Sequence, residues 1–586
     1  MKLTLTISLI FIFSIQLNAQ WDWANPLPHG NHINAVDFDS ITGYAVGRVG
    51  KITKSDDNGE TWEDISPGID NDFMDVFITN NSKVYVVGDN GIIFKNRPDN
   101  SWDTLTSGVN LLLKSLFFIN QDTGFIVGYL GTILKTVDAG DNWELMDSGT
   151  VLSLNSVFFI SDETGFIAGE DGIILKTIDG GETWNEISVE TNETLYDVYF
   201  PTTDTGYIAV GNNIFLKTID SGGSWEVLPN MASNVKFHSI YFKNNINGIM
   251  VGQSGVVLKS ENGGLSWQLQ ETPSDVTVND ITLANSDSFV YAGDFGTILK
   301  SNNNWDDFSI ISSGINQSLD ALFFTDNKTG YAVGGNPFEN IGLVVKTTYS
   351  GDSTFVEKIK DFNEHIYDVF FIDTDTGYIV GQDGKMYKTK DSGSSWNELA
   401  SDISSHIYSI YFINDSTGFA AGALGTIIYT DNCGYSWESF PSGTNEHLYS
   451  ISYIEVNTDS TMMYICGNNG TILKSYNSSP FSELDSETSN SLYDIDFINI
   501  DSGFAVGDNG IILYTDSAGT NWEKLESGVG TPLTSVTYFN DTTSYISGDG
   551  GTILKTNDNG NYWYRQNTGT SNNFKDVWFT SIDTGL

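Results

Sequence analysis

Four of the six histidines fall at one register. His32, His365, His406 and His447 each stand three residues before a small residue that recurs along the chain, and the last three occupy successive repeats. Glu364 and Glu446 directly precede His365 and His447. Imidazole beside carboxylate can ligate a metal ion or titrate near neutral pH. A metal centre needs several ligands at one point, however, and one loop residue copied onto neighbouring repeats stands too far from its counterpart to share an ion. No metal or other cofactor is assigned; His365, His406 and His447 are the residues a metal-retention assay would test. A second series, Asp75, Asp197, Asp280, Asp368, Asp494 and Asp576, occupies the small-residue register itself. These carboxylates could draw a cation, but the more economical reading is that they accept hydrogen bonds from neighbouring turns. With 75 acidic residues in the chain, some carboxylate pair always looks suitable for acid–base work, so no catalytic residue is assigned.

The elements that must position these residues are short and repeated. In Thr164–Trp184, Gly165–Gly169 reads as an apolar strand. Asp171-Gly172 is a tight hairpin turn whose central residues tolerate positive φ. Ile173–Thr177 is the next strand, and Asp179-Gly180-Gly181 a second turn before Trp184. With Leu154–Ile160 upstream, one unit is four antiparallel strands that cannot bury both faces alone and must stack on copies of itself. The glycine ending the second strand recurs from Gly47 to Gly548, mostly at intervals of about 41 residues. Thirteen units are visible, with short insertions near Asn336–Ile341 and Glu455–Thr461, and a fourteenth begins at Phe574. The sequence stops where that unit's second strand should start, so its last blade is expected to be truncated.

The second turn carries a box, Ser/Thr-x-Asp-x-Gly-x-Thr/Ser-Trp. It is clearest in Asp57-Gly59-Trp62, Asp179-Gly181-Trp184, Asp220-Gly222-Trp225 and Asp391-Gly393-Trp396. Eleven of the 14 tryptophans stand at this position, which makes the Trp a packing device rather than a ligand platform. Period and box resemble the Asp-box (BNR) repeat, and the fuller TGYAVG…G-x-I-x-KT-x-D-x-G-x-TW pattern resembles the Ycf48/Hcf136-like photosystem II assembly factors and their exported bacterial relatives. The resemblance covers residues 20–586. It implies an all-β fold, a β-propeller of four-stranded blades with the box between strands three and four. A photosystem role sits poorly with an acidic chain holding three arginines.

Fourteen blades exceed an ordinary ring, so two tandem seven-bladed propellers are expected, at 20–304 and 305–586. The small-residue register supports the split: Ala-Asp-Ser-Ser-Asp-Ser-Asp occurs twice, from Ala35 to Asp280 and from Ala321 to Asp576. Each ring is expected to close by borrowing an outer strand, Trp23–Gly30 for the blade of Val278–Lys300 and the Trp305 segment for the blade of Phe574.

Two Asp-box enzyme classes were weighed. A sialidase needs three converging arginines, but Arg48, Arg97 and Arg565 lie at unrelated points of their units. A xyloglucanase-like glycoside hydrolase, with a carboxylate pair between two propellers, is the alternative reading, though units of about 41 residues leave little chain to wall a cleft. Function must lie in what differs between units. Most turns between strands two and three read Asp/Asn/Gln-x-Gly, whereas Arg48-Val49, Tyr129-Leu130, Phe295 and Ala423-Leu424 place bulk there. Arg48, Tyr129, Phe295 and Leu424 are therefore the candidate binding residues.

Residues 1–19 have the n-region, apolar core and small-residue end of a secretory signal peptide, and the apolar run is too short to span a membrane. A net charge of −48 argues against nucleic acid or an anionic membrane as partner. Cys433 and Cys466 fall at different points of their units and read as free thiols. The expectation is a secreted or cell-surface binding scaffold whose partner is an extracellular protein or glycan.

Overall fold

A computed structural model of the chain describes residues 30–585 except 40, 213, 230–234, 271, 273–275, 286–287, 303–306, 313–317, 327, 350–353, 458–459, 478, 541, 569 and 582–583. Thirteen four-stranded antiparallel sheets follow one another along the described chain, each strand pairing only with its sequence neighbours. The sheets are called blades one to thirteen below. A two-stranded sheet, Phe579–Ser581 with Thr584–Gly585, follows them.

Blade four shows how residue types set the elements. Its strands are Leu154–Phe159, Gly165–Gly169, Ile174–Thr177 and Asn185–Ile187. Asp171 and Gly172 adopt φ of 52° and 75°, and the Ile173 N–H donates to the Glu170 carbonyl at 3.1 Å. That is the primed turn expected of Asp-Gly. In the box, the Asp179 carboxylate accepts the Thr183 N–H at 3.0 Å and its hydroxyl at 2.6 Å. These bonds hold Asp179 down at about 2. Thr177 Oγ1 accepts the Gly181 N–H at 2.9 Å. The same bonds recur at Asp57, Asp220 and Asp391, and at Gly59, Gly222 and Gly393.

The box locks blade to blade. Trp184 packs edge-on against Phe125 of the preceding blade and Phe159 of its own, at 6.2 and 5.9 Å. Trp225 meets Phe166 of the preceding blade edge-on, and Trp62 and Trp396 meet Phe38 and Phe371 of their own blades likewise. Lys176 reaches forward to the Ser221 carbonyl in the next box at 2.7 Å. The apolar core is accordingly divided into slabs, each between two adjacent blades. Thr177 is fully buried. A Thr177→Val protein keeps its shape but strands the Gly181 N–H, and is expected to lose about 1–3 kcal/mol in denaturant unfolding.

The chain divides into two compact units, one ending at Gln317 and the other starting at Ser318. Blades one to seven form the first, and it closes on itself: the Val36 N–H donates to Asp280 at 2.9 Å, and Asn279 Nδ2 to the Ile33 carbonyl at 2.8 Å. The closure differs from the sequence expectation. Strand four of blade seven is Asp307–Ser312, paired with Ile298–Asn302. A boundary at 304/305 would cut this blade. The nearer segment wins because closing a few residues costs far less chain entropy than recruiting a strand from the other end. Residues 23–29, Trp305 and the leader 1–19 lie outside the described residues.

In the second unit, blades eight to thirteen are joined by the Asp576 segment. Asp576 accepts the Leu322 N–H of blade eight at 2.8 Å, and Trp578 lies 5.4 Å from Phe323. The insertion at Asn336–Ile341 lengthens one hairpin, Thr329–Asn336 with Ile341–Tyr349. Both cysteines are free. Among the described residues no helix is long and apolar enough to cross a membrane.

Candidate functional site: the upper mouth of the second propeller

Strand one of every blade carries one unpaired residue near its start. In blade nine Ile366 pairs with Gly381 and Asp368 with Val380, leaving Tyr367 without a cross-strand partner. In twelve blades a glycine of strand two stands opposite this point, while blade five bulges with Val210 there. In blade nine a Cβ on Gly381 would lie 2.3 Å from the His365 carbonyl, so the close approach of the two backbones there requires glycine. The Gln382 N–H donates to that carbonyl at 2.8 Å and fixes the approach. The strand then bulges by one residue and re-aims a side chain, a device common beside binding sites. The start of strand one and the turn between strands two and three thus share one face, here termed the upper face.

The residue after the bulge locks the ring. Asp368 accepts the Val369 N–H at 2.7 Å and, from the next blade, the Ile410 N–H at 2.8 Å. Asp75 serves Leu116, Asp197 serves Ile240, and Asp494 serves Val536 in the same way. Ser156 accepts the Val198 N–H at 3.2 Å. The aspartate series is therefore spent on neighbouring strands. Burial pushes Asp37, Asp280 and Asp368 up to about 7, and Asp496 and Asp576 up to about 6.

The bulged residues themselves form a collar. In the first propeller they are mixed, and neighbours touch: Lys114 Nζ meets Asn155 Oδ1 at 2.7 Å, and Tyr196 lies 5.7 Å from His238. In the second, four successive blades present Tyr367, Tyr408, Tyr449 and Tyr493. Their rings follow one another at 5.0, 5.4 and 5.6 Å, tilted by 74°, 46° and 52°. All four are half-buried. Tyr449 donates its hydroxyl to Asn468 and Tyr493 to Asp508, each at 2.8 Å, in the turn of its own blade. Blade ten has Ala423 at that turn position, and the Tyr408 hydroxyl has no hydrogen-bond partner among the described residues. Burial raises the Tyr367 and Tyr449 hydroxyls to about 12, so all stay protonated in use.

The histidine series belongs to this arc. The rings run His365, Tyr367, His406, Tyr408, His447, Tyr449 at successive separations of 4.6, 6.1, 6.2, 6.1 and 6.4 Å. A tyrosine thus stands between each pair of imidazoles. Among the described residues no group of three or more His, Cys, Asp or Glu side chains is placed to hold a metal ion. His365 Nε2 faces the Asp320 carboxylate, while its buried Nδ1 has no partner; the Nδ1 of His447 is likewise buried and unpartnered. His406 Nδ1 accepts the Asp383 N–H at 3.0 Å.

The four bulky turn residues all lie on upper faces, but not together. Leu424 is in the turn between strands two and three of blade ten, the blade that carries Tyr408. Phe295 sits 5.0 Å from His32, whose Nδ1 is 2.6 Å from Asp294, and Asp294 also feels the Arg48 charge; these meet where the first ring closes. Tyr129 stands apart, its ring 4.6 Å below Lys114 Nζ. Val49, Leu130, Phe295 and Leu424 adopt φ of 55°, 54°, 53° and 56°, a left-handed conformation that costs a bulky side chain energy. Leu424 is 67 % exposed, so packing does not repay the strain. Leu424→Asn is expected to raise the stability of its propeller by about 1 kcal/mol, read as a higher melting temperature.

Sequence reasoning found the histidines and missed the tyrosines. Their signal was present: Tyr at one register in four consecutive units, where the first propeller has four different residue types. It could not be weighted without the bulge, which turns an ordinary strand position into a rim position.

The comparisons fit this architecture. A family profile described as the photosynthesis system II assembly factor Ycf48 matches residues 94–192, 182–276, 348–477 and 473–567, more than half of the chain. No curated protein matches. Among solved structures, the GH74 enzyme of Niastella koreensis is 15 % identical, with 96 % of this chain and 95 % of that one covered and a TM-score of 0.64. PorZ, a bacterial surface component of the type-IX secretion system of Porphyromonas gingivalis, is 12 % identical, with 93 % and 82 % covered and a TM-score of 0.61. A Ycf48 bound to a D1 peptide is 19 % identical, covering 49 % of this chain and 96 % of its own, with a TM-score of 0.42. At such identities these likenesses concern the fold alone.

Proposed function

The chain belongs to the family of the photosystem II assembly factor Ycf48, and on that premise we propose that it is an exported, non-catalytic scaffold. Its second propeller binds a segment of a partner protein at the upper mouth. The observation that carries this reading is the tyrosine arc. Four half-buried phenols, raised by four bulges, give rigid amphipathic contact area with little side-chain entropy left to lose. The open Tyr408 hydroxyl and the exposed, strained Leu424 lie on the same upper face.

The geometry favours protein over glycan. A sugar ring stacks on a flat, open aromatic face, whereas rings tilted by 46–74° to one another share no plane. A hydrolytic role has no comparable support: the inner-strand aspartates, Asp280 and Asp368 among them, are engaged by backbone N–H groups of adjacent blades. The leader at residues 1–19 would place the protein outside the cytoplasm.

A displayed library of random dodecapeptides tests the reading. Selection on the intact protein is expected to enrich sequences whose binding falls at least tenfold on Tyr408→Leu or Tyr449→Leu. Enrichment that ignores both substitutions overturns the site. Release of reducing sugar from xyloglucan, abolished by changing a single carboxylate, overturns the non-catalytic reading.

A further inference from the structure

We propose that the upper mouth of the second propeller takes a proline-rich segment of its partner, held in the polyproline II conformation. The inference rests on the protein-binding reading above and names the conformation and residue type that the mouth selects. A partner segment can dock as an added β-strand, as a helix or as a polyproline II rod. The first two do not suit this site.

Strand one ends each sheet, so an added strand would pair on its free edge. Beneath the tyrosines the N–H groups of that edge are already taken. Asp368 accepts those of Val369 and Ile410 at 2.7 and 2.8 Å, and Asp494 those of Ile495 and Val536 at 2.9 and 2.8 Å. A helix is too wide. Neighbouring tyrosine rings stand 5.0, 5.4 and 5.6 Å apart, half the spacing of about 10 Å between packed sheets. The collar is therefore narrow, and a helix about 10–12 Å across does not enter it. A polyproline II rod is thinner and makes no hydrogen bonds of its own. With three residues per turn it turns side chains to rings on more than one side, which a two-faced strand does not.

The chemistry of the collar agrees. In the first propeller the bulged residues spend their polar groups on the ring itself. Asn34, Asn155 and Asn279 donate to the carbonyls of Phe73, Leu195 and Ile33 in the next blade, at 2.7, 2.8 and 2.8 Å. In the second, Thr534 donates to the Phe574 carbonyl at 2.7 Å and Asp320 faces His365, so the open stretch is the tyrosine arc between them. There the Tyr408 hydroxyl has no partner among the described residues and can donate to a carbonyl of the rod, which has no partner either. Charge selects nothing. Lys385 is engaged by Glu398, and Lys575 Nζ lies 3.9 Å from Asp549. An uncharged ligand leaves these pairs in place. Proline is uncharged, packs its apolar ring on aromatic surfaces and arrives already rigid, so docking costs little chain entropy.

The test uses the full chain and three fluorescein-labelled decapeptides, built from five repeats of Ala-Pro, Ala-Gly or Lys-Gly, in fluorescence anisotropy. The Ala-Pro peptide is expected to bind at least tenfold tighter than Ala-Gly, with little dependence on salt. Tyr408→Leu should weaken it about tenfold through the lost ring, and Tyr408→Phe about threefold through the lost hydroxyl. Unchanged melting temperatures show that each variant is folded. Ala-Pro binding no tighter than Ala-Gly, or none by either at millimolar peptide, overturns the proposal. So does Ala-Pro binding that ignores Tyr408→Leu. Tightest binding by Lys-Gly is attraction to a chain of charge −48 and overturns it as well. The dodecapeptide selection separates the two readings. Selected sequences that need Tyr408 but are not enriched in proline sink the polyproline inference and leave the protein-binding scaffold standing, whereas enrichment that ignores the tyrosines overturns both.

Discussion

Gly422→Ala is expected to cost more than about 3 kcal/mol and to dismantle the arc at Tyr408. A Cβ at Gly422 would lie 2.1 Å from the His406 carbonyl oxygen and 3.0 Å from the Ile407 Cα. Both are backbone atoms, so no rotamer change relieves the clash. The backbone there is extended, with φ of −165°, so the demand is for space and not for an unusual conformation. The segment that must move carries His406 and, two residues on, the bulge of Tyr408. Hydrogen exchange should show faster opening at residues 404–425 than in blade thirteen, and peptide binding should vanish with it. Gly530→Ala is the control, because nothing lies within 4 Å of the added carbon and stability should hold or rise slightly. A Gly422→Ala protein within 1 kcal/mol of the parent would show that strand one can slide, and the steric account of the bulge would fail.

Stability should peak on the acid side, near pH 5, and decline toward pH 8. Two carboxylate populations set this profile. Asp37, Asp280 and Asp368 titrate at about 7 in the folded chain, raised by burial, and near 4 when unfolded. Between those values the folded state holds more protons than the unfolded state, so stability falls as pH rises through the window and levels off above it. With their shared repulsion counted once and channel water screening them, the loss is on the order of 3 kcal/mol per ring. The box carboxylates act in the opposite sense. Asp179 is held at about 2, and Asp57, Asp138 and Asp391 are lowered, all by hydrogen bonds from their own turns. Their contribution is present above pH 4 and lost as pH falls toward 2. Calorimetry at pH 5 and pH 8 should therefore give the higher melting temperature at pH 5. Asp280→Asn forfeits one of two accepted N–H groups and should be less stable at pH 5, yet fall less between the two pH values. A melting temperature that rises from pH 5 to pH 8 would sink the account.

Much of the fold was legible in the sequence because each device is local. Asp171-Gly172 specifies its turn by backbone conformation alone, and Thr177-x-Asp179-x-Gly181 specifies the next by hydrogen bonds within five residues. Even the doubled Ala-Asp-Ser-Ser-Asp-Ser-Asp register marks a real lock, since those side chains reach the next blade in both rings. What was not legible depends on distance. The outer strand of blade seven has no intact box, and an aromatic segment far upstream matched the pattern better than Asp307–Ser312, which pairs by proximity. The site was half visible. His365, His406 and His447 drew attention by residue type, but the tyrosines between them are ordinary strand residues until strand one is seen to bulge.

The bulge also bears on how such a protein changes. A side chain with no partner across the sheet can be exchanged without disturbing register, hydrogen-bond ladders or the slabs between blades. Each propeller therefore offers a ring of independently replaceable positions around one opening. The two rings here already differ at most of them, Tyr196 and Tyr493 being the shared case, while keeping the lock just beneath. A library that varies only Tyr367, Tyr408, Tyr449 and Tyr493 should leave folding intact in most members and sort them by ligand. Selection, natural or in the laboratory, can rewrite specificity at this collar while the scaffold stays fixed.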